Sequence, residues 1–334
     1  MKKITIKQLG AELKLSPSTI SRALSDDYQI SAKTKALVLS HAKKRNYSAN
    51  LYAKSLKEGR TRTIGLIVCS LVNDLMNQVL EGMYDYWYEK GYQLLVFQSK
   101  GDNETERNCI SRLVDIGIDG LMISPIFDSS NTNYLNKLIA DGLPIVVFDR
   151  INTQIRTVQV AVDNFLCGHM AANHLIANEC TEVLILGGVG VPLSHERIKG
   201  FTSAMANRGF TTSRSAYVNV NCKEALHREL TSLFKQSIIS DKSVRAVFAS
   251  TDLLTIAVIR GLKEMMVDVP VVGFCNSELS DIFYAQPVCI VQPSYELGKL
   301  TSHNLFRLLQ NGGISEMEII YLPAKLVENV TVNN

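Results

Sequence analysis

The stretch TIKQLGAELKLSPSTISRAL, residues 5–24, contains two short helical patterns separated by a break. In the first pattern, apolar or small residues recur with the i, i+3, i+4, i+7 spacing of one helix face. Ser16 followed by Pro17 is a strong start for the second helix, because a hydroxyl caps the first turn and proline loses no hydrogen bond there. Two short helices joined by about three residues predict a helix-turn-helix arrangement. The residues on the buried face of the first helix are Ile6, Leu9, Gly10 and Leu13.

A third helix is predicted after Ser31, which is placed to act as its N-cap. We expect this helix to end near Asn46, with Tyr47 folding back to pack against it. Together the three helices would form a small all-α head. The side chains predicted to point inward from the second and third helices are Ile20, Ala23, Leu24, Leu37, Val38 and Ala42.

The head is strongly basic. Residues 1–60 contain thirteen Lys and Arg against four Asp and Glu, whereas the remainder of the chain is mildly acidic. Such segregation predicts a polyanion-binding module attached to a different kind of domain. In a DNA major groove, Arg22 would be the best base reader, because its fork matches guanine O6 and N7 together. Pro17 can offer only shape or a contact to a thymine methyl group. The alternative is a small helical bundle whose charges are merely solvated. The polar face of the second helix comprises Ser18, Thr19, Ser21 and Arg22.

Residues 50–58, NLYAKSLKE, could form about two turns of helix, which is too short to be stable alone. DNA and a symmetry-related copy could order it. Ala53 and Leu56 would share one face, and a pair of such leucines inserted into the minor groove would kink the duplex. A plain lysine-rich linker is the alternative.

From Thr63 onward, apolar runs alternate with amphipathic helices, which predicts an α/β fold with parallel sheets. The length suggests two doubly wound lobes with a cleft, and ligands of such sheets bind at the carboxyl ends of the strands. Helices are predicted around 76–90, 104–116 and 132–141. The predicted buried strands are TIGLIV (63–68), YQLLVFQS (92–99), DGLMISPI (119–126), PIVVF (144–148), EVLILGG (182–188), SAYVNV (215–220), RAVFAS (245–250), PVVGF (270–274) and VCIVQP (288–293).

Several patterns are absent from the sequence. No apolar run is long enough to span a membrane, and the basic start lacks the apolar core of a signal peptide, so we expect a cytoplasmic protein without membrane contact. The seven cysteines show no C-x-x-C pattern and no ligand spacing to histidine, so we expect neither a metal nor a cofactor.

An enzyme and a soluble solute-binding protein are the alternative functions. The glycine-rich run LGGVGVP, residues 186–192, matches neither phosphate-binding pattern and is expected to form a tight turn. No other catalytic motif is present, so we expect no enzyme activity. A solute-binding protein would need an export signal and would not carry the basic head.

Residues 5–24, with T-I-K followed by S-x-x-T-I-S-R-x-L, resemble the DNA-binding head of the lactose-repressor/galactose-repressor family of bacterial transcription regulators. The resemblance continues through NYSANLYAKSLKEGRTRTIGLIV (46–68) and reaches LPAKLV (322–327). It implies a periplasmic-binding-protein-like body whose chain crosses between two lobes near 160, 291 and 322. Ser48 and Ala49 stand where Arg-Pro is common, which predicts a less stiff hinge.

The resemblance also implies a domain division. The helix-turn-helix domain would comprise residues 1–47, the hinge helix and linker 48–62, and the effector-binding and dimerisation domain 63–334. The first lobe would include about 63–160 plus 292–321, and the second about 161–291 plus 322–334. The DNA contacts would come from Thr5, Ser16, Pro17, Ser18, Thr19, Ser21, Arg22, Asn50, Ala53 and Leu56.

The segment HERIKGF, residues 195–201, is similar to the family's R-x-x-G-[FW], in which the arginine anchors an effector. Arg197 is therefore the main candidate, since its planar fork suits vicinal hydroxyls, carboxylates or phosphates. Asp149 and Asp252 follow strands and could bind sugar hydroxyls, or simply cap the next helix. The candidate effector residues are Asn73, Asp149, Arg197, Asp252, Cys275 and Asn276.

The sequence departs from the family at two ligand positions. Asn73, Asp74, Leu75 and Met76 stand where N-P-F-F is frequent, and Cys275–Asn276 stand where Asp-Asp or Asp-Asn is frequent. These departures weaken the expectation that the effector is a simple hexose. A phosphorylated or oligomeric sugar and a non-sugar metabolite are the alternative effectors.

The expected protein is a homodimeric regulator that binds a near-palindromic double-stranded operator and responds to a small molecule. Repression is the expected outcome, although the position of the operator decides between repression and activation. The carboxyl terminus has no leucine heptad tail, which argues against a tetramer.

Overall fold

The structure is a computed structural model. It describes residues 4–45, 47, 60–72, 74–127, 129–210, 214–220, 223–240, 244–276, 287–312 and 316–328. The chain divides into two compact units, with the boundary between Arg62 and Thr63.

The first unit is a bundle of three helices, α1 (Ile6–Leu13), α2 (Pro17–Leu24) and α3 (Ala32–Lys44). Its order of two short helices followed by a longer one confirms the predicted helical head. The core forms because each helix turns one apolar face toward the other two. The buried core residues are Leu9, Ile20, Ala23, Val38 and Ala42.

Each of the three helices begins at a hydroxyl-bearing N-cap. The N–H of Gln8 donates to Thr5 Oγ1 at 3.3 Å, and the Gln8 side chain accepts from the Thr5 backbone, which completes a capping box. The predicted caps are confirmed: Ser16 Oγ accepts from the N–H of Thr19 at 3.1 Å, and Ser31 caps α3.

One inward assignment in α3 is wrong. Leu37 is 51% exposed, because it lies about 100° around the helix from Val38 and so falls beside the buried face. The helix ends at Lys44, and Asn46 lies outside the described residues. Tyr47 folds back as predicted, since its N–H donates to the carbonyl of Ala42 at 2.9 Å and its ring packs on the head core.

A carboxylate on α1 joins α1 to α3. Glu12 Oε1 accepts from Arg45 Nη2 at 2.7 Å, and Glu12 Oε2 accepts from Arg45 Nε at 3.0 Å and lies 2.8 Å from His41 Nε2. Hydrogen bonds from Arg45, and secondarily from His41, hold the pKa of Glu12 below its usual range.

Because the folded state lowers the pKa of Glu12, its ionised form stabilises the head at pH values above its ordinary pKa of 4.5. This stabilisation is lost as the pH falls through the lower folded pKa. In a fragment of residues 1–62, we expect Glu12→Gln to lower the melting temperature at pH 7, as followed by circular dichroism. The difference from wild type should shrink toward zero near the acid end of the titration. A difference that is the same at both extremes would mean that the charge of Glu12 does not act through this contact.

The second unit contains two six-stranded sheets. The first has the order β11-β5-β4-β3-β1-β2 and is parallel throughout; the second has the order β12-β10-β9-β8-β6-β7, and its only antiparallel pair among the described strands is β10–β12. The strands are β1 (Thr63–Val68), β2 (Gln93–Gln98), β3 (Gly120–Ile123), β4 (Ile145–Phe148), β5 (Val158–Val162), β6 (Val183–Gly188), β7 (Ser215–Val218), β8 (Ala246–Ala249), β9 (Val271–Phe274), β10 (Val288–Val291), β11 (Glu318–Leu322) and β12 (Lys325–Val327).

Helices cover both faces of each sheet. In β1, Ile64 and Leu66 point toward α4 and α11, whereas Ile67 points toward α5 and α6. In the second sheet, α7 and α8 cover one face and α9 and α10 cover the other. This arrangement confirms two doubly wound parallel lobes. The helices are α4 (Asp74–Glu89), α5 (Asn103–Ile116), α6 (Thr132–Ala140), α7 (Asn164–Ala177), α8 (Pro192–Asn207), α9 (Lys223–Phe234), α10 (Asp252–Glu264) and α11 (Ser294–Gln310).

The strand pattern differs from the sequence interpretation in two respects. Three strands, β5, β11 and β12, were not predicted. The chain passes between the sheets after β5, after β10 and after β11, close to the crossings expected near 160, 291 and 322. The residues of β2 were expected to be buried, yet all six are half-buried or exposed, because β2 is an edge strand and lacks a neighbour on one side. In the edge strand β7, Ser215 and Tyr217 are exposed and Val218 is buried.

Candidate DNA-binding and effector sites

The exposed face of α2 presents a narrower set of polar groups than the sequence suggested. Thr5 and Ser16 are engaged as helix caps, so their hydroxyl oxygens already accept backbone hydrogen bonds. Pro17 and Ser18 are exposed, and Ser21 is half-buried. Thr19 is also half-buried, and its hydroxyl lies 2.8 Å from that of Ser16. This leaves Pro17, Ser18, Ser21 and Arg22 as the side chains of α2 best placed to meet a base edge.

Arg22 projects from the last turn of α2, and its side chain is 54% exposed. Its Nη1 donates to Gln29 Oε1 at 3.1 Å, while its Nε lies 4.0 Å from Asp27 Oδ2. An exposed pair at that distance contributes little free energy, so Arg22 can exchange these partners for a base at small cost.

Four of the predicted site residues lie outside the described residues. They are Asn50, Ala53, Leu56 and Asn73. The minor-groove wedge and the contribution of Asn73 therefore stay predictions.

The other candidate effector residues meet at the carboxyl ends of strands. Asp149 follows β4, Arg197 lies on α8 after β6, Asp252 begins α10 after β8, and Cys275 and Asn276 follow β9. Parallel strands bring such positions together at one edge of each sheet, which is where α/β folds bind ligands.

Arg197 is buried, with 4% of its surface exposed. Its Nε donates to Asn164 Oδ1 at 2.7 Å, and its Nη1 donates to the carbonyl of Ser250 at 2.7 Å. Its Nη2 donates to Gln292 Oε1 at 3.3 Å, and the guanidinium carbon lies 3.5 Å from the centre of the Phe274 ring. Asn164, Ser250 and Gln292 come after β5, β8 and β10, and Phe274 lies on β9, so residues from four strands hold the guanidinium in place. Nη1 and Nη2 each carry a second N–H.

Burial shapes the electrostatics of this site. It lowers the pKa of Arg197, an effect that the nearby carboxyl groups of Asp252 and Asp149 partly oppose. Burial likewise raises the pKa of Asp252, and the positive charge of Arg197 partly opposes that shift. The carboxylates are near enough to influence Arg197, yet its described hydrogen-bond acceptors are all neutral.

Two glycines set the position of Arg197. A Cβ atom on Gly168 would lie 1.8 Å from the carbonyl oxygen of Arg197, and one on Gly200 would lie 1.9 Å from the carbonyl oxygen of Phe165. The backbones of α7 and α8 therefore touch at these points. Any larger residue would push α8, and Arg197 with it, away from the sheet.

Helix capping was the alternative to effector binding for Asp149 and Asp252, and neither residue is the N-cap of a helix. Asp149 has a φ of +64° and accepts from Ser124 Oγ at 3.2 Å, and no described helix begins after it until Asn164. The N-cap of α10 is Thr251, whose side chain accepts from the N–H of Leu254, and Asp252 is the first helical residue.

Cys275 and Cys289 form a buried thiol pair between β9 and β10. The hydrogen bond between them, together with burial, raises the pKa of Cys289. The thiol of Cys289 is therefore neutral. Position 275 carries a cysteine where relatives of the family frequently carry an aspartate.

A cavity of about 430 Å³ lies between the lobes, at the carboxyl ends of the first sheet and the start of α7 and α8. Asp149 is the only predicted effector residue in its lining. The negative charges of Asp163 and Glu196 add to burial in raising the pKa of Tyr321, which places these groups close together. The lining residues on or next to β5 and β11 were missed because those strands were not predicted. Its residues are Phe127, Asp149, Ile151, Val162, Asp163, Asn164, Phe165, Pro192, Leu193, Glu196 and Tyr321.

Comparison with known proteins agrees with this architecture. Residues 64–313 match the family model described as a periplasmic binding protein domain. The HTH-type transcriptional repressor PurR of Vibrio cholerae serotype O1 (strain M66-2) is 27% identical over 340 residues, which cover 99% of this chain and 98% of that protein.

Solved structures share the fold at lower identity. The Lac repressor dimer bound to operator and the anti-inducer ONPF superposes with a TM-score of 0.85 at 17% identity, covering 99% of both chains. The Cra dual regulator of Pseudomonas putida in complex with fructose 1-phosphate gives a TM-score of 0.71 at 18% identity, covering 81% of this chain and 99% of that one. Among the described residues, no helix has the length and apolar character needed to cross a membrane.

The family model and the similar repressors together show that the chain belongs to the lactose-repressor/galactose-repressor family of bacterial transcription regulators, and that its residues 64–313 form a periplasmic binding protein domain.

Proposed function

We propose that this protein is a sequence-specific DNA-binding repressor whose operator affinity is set by a small molecule bound between the two lobes. One observation carries the proposal: a basic helix-turn-helix head with an exposed Arg22 is joined to a two-lobed body with a buried, aligned Arg197. The first feature suits DNA and the second suits an oxygen-rich ligand.

The proposed domains are the head, residues 1–47, the hinge and linker, 48–62, and the body, 63–334. Within the body, the lobes would be about 63–160 plus 292–321 and about 161–291 plus 322–334. The hinge would lie in the minor groove, where Leu56 could act as a wedge.

We propose that the effector contacts Arg197, Asp252 and Asp149, with Cys275 and Asn276 near it. The relative from Pseudomonas putida holds fructose 1-phosphate, which makes sugar phosphates a sensible first class to test. The cysteine at position 275 suits such ligands, because it stands in place of a carboxylate that would repel a phosphate.

A homodimer would place two heads on a near-palindromic operator. Exposed apolar side chains offer a surface for it: Tyr84 and Tyr88 stack at 5.7 Å on α4, and Leu253 and Ile256 lie on α10. Because the operator is chromosomal DNA, the cytoplasm is the proposed location. Regulation without catalysis is proposed, in keeping with the absence of catalytic motifs from the sequence.

In vitro selection from random duplex DNA with the full-length protein tests the DNA part of this proposal. A near-palindromic consensus should emerge, and its affinity should fall steeply as salt rises, because Lys and Arg release counterions from phosphates. A thermal-shift panel that includes ribose and fructose 1-phosphate should then identify a ligand that changes operator affinity. Failure to enrich any sequence would contradict the regulator function.

A further inference from the structure

A pair of amide side chains joins the two lobes. Gln78 lies on α4 of the first lobe, and Asn276 follows β9 of the second. Gln78 Nε2 donates to the carbonyl oxygen of Asn276 at 2.9 Å, and Asn276 Nδ2 lies 3.4 Å from Gln78 Oε1. The hydrogen bond from the Gln78 side chain to the Asn276 backbone thus joins α4 to the second lobe across the cleft.

Asn276 also binds the segment that passes between the lobes after β10. Its Nδ2 donates to the carbonyl of Gln292 at 2.7 Å and to Ser294 Oγ at 2.9 Å. Its Oδ1 accepts from the N–H of Gln292 at 3.2 Å. All three residues are buried, so water does not compete for these hydrogen bonds.

Gln292 connects this cluster to the proposed effector site. While its backbone is held by Asn276, its side-chain Oε1 accepts from Arg197 Nη2 at 3.3 Å. A continuous chain of hydrogen bonds therefore runs from Gln78 through Asn276 and Gln292 to Arg197. We call these four residues the amide relay.

We propose that Gln78 and Asn276 are positioning residues of the effector site: they hold the lobes together and, through Gln292, fix the orientation of the Arg197 guanidinium. This inference rests on the proposed effector role of Arg197. A ligand that draws an N–H of Arg197 toward itself alters the Gln292 contact, and the relay transmits that change to α4 in the other lobe. The reverse also holds, because linkage is reciprocal.

The chemistry of position 276 supports this role. An asparagine both donates and accepts, and here the two Nδ2 hydrogens serve the Gln292 carbonyl and Ser294 Oγ, while Oδ1 accepts from the Gln292 N–H. An aspartate could not donate to the Gln292 carbonyl. The contacts of the relay to Gln292 therefore require the amide at position 276.

The reactivity of Arg197 toward phenylglyoxal, a reagent selective for guanidinium groups, tests the relay without any ligand. The full-length protein is treated briefly, and peptide mapping by mass spectrometry gives the modified fraction of Arg197. The exposed Arg208, at the end of the same helix, is the internal reference. In Gln78→Ala we expect the ratio of Arg197 modification to Arg208 modification to rise about fivefold. This is the increase in the population with a freed Arg197 that the loss of one ordinary hydrogen bond would produce.

Deuterium uptake provides a second measurement. The Gln292 N–H, which donates to Asn276 Oδ1, should exchange faster in Gln78→Ala than in wild type. Two control variants on α4 separate the relay from general effects. Asn77→Ala removes an exposed neighbour, and Val79→Ala removes a buried core contact outside the relay. Val79→Ala should lower the melting temperature, yet neither control should change the modification ratio.

An unchanged ratio in Gln78→Ala would overturn the proposal, and so would an equal rise in Val79→Ala, which would mean that any loss of stability frees Arg197. The variant Asn276→Ala should give a larger rise than Gln78→Ala if it folds, but the conclusion does not depend on it. Because free protein is used, these outcomes are independent of operator selection, so failure of the relay is distinguishable from failure of the proposed function.

Discussion

Replacing Arg22 by alanine should weaken operator binding by about 1–3 kcal/mol and relax the preference at one symmetric base pair. Its guanidinium is exposed on α2, and its partners among the described residues are Gln29 and a distant Asp27. Few stabilising contacts are therefore lost when it turns to a guanine, and the fork can donate to O6 and N7 together. Competition titrations against operators changed at each position would measure the effect.

The variant Arg22→Lys is the matched control for charge. It retains the positive charge but not the planar fork, so it should keep most of the salt dependence while losing the base preference. Arg22→Ala should lower the base preference. It should also make the dependence of affinity on salt concentration less steep, by the contribution of about one phosphate contact or less. Unchanged affinity and unchanged preference in Arg22→Ala would show that α2 is not the recognition helix in the proposed orientation.

Replacing Arg197 by methionine should abolish the response to the effector while leaving operator affinity equal to that of the ligand-free wild type. Arg197 lies in the body, which is a separate unit from the head, so its loss removes no base contact. Methionine preserves much of the volume on the Phe274 ring but cannot donate to a ligand. The measurement is an operator titration with and without the compound identified by thermal shift.

The same substitution should also cost stability, because Asn164, Gln292 and the Ser250 carbonyl lose a buried donor. A loss of about 1–3 kcal/mol in urea unfolding is expected for such unpaired groups. Arg208→Met, at the exposed end of the same helix, should change neither stability nor response. If Arg197→Met answered the ligand at the same concentration as wild type, Arg197 would not belong to the effector site.

Local signals in the sequence were sufficient for the head. The caps at Ser16 and Ser31 and the spacing of Leu9, Ile20 and Val38 depend on residues close in the chain, and helices of this kind follow from such short-range patterns. Leu37 is the exception. Whether it is buried depends on how α3 is rotated against α1 and α2, and in the structure it is exposed.

In the body, the alternation of apolar runs predicted two parallel lobes, since central strands covered on both faces read as continuous apolar segments. Short or peripheral strands were harder. Strand β5 lies within a predicted crossing, and β11 and β12 pair only with strands distant in sequence. Strand β5, VQVAV, does carry the alternation of a strand, but it was taken as part of a crossing, so the lining residues that follow it were missed.

The basic helix-turn-helix head and the two-lobed α/β body could be predicted from the amino-acid sequence, because each follows from local periodicity, capping or charge. Arg197 was predicted as an effector residue from the resemblance of HERIKGF to the family. That Arg197 is buried and bound by Asn164, Ser250 and Gln292 emerged from the folded structure. The folded structure also decided that Gln78 meets Asn276 across the cleft. These contacts join residues separated by up to 198 positions in the chain. Such pairs arise from how the sheets stack and where the chain crosses between them, and no local pattern in the sequence encodes that geometry.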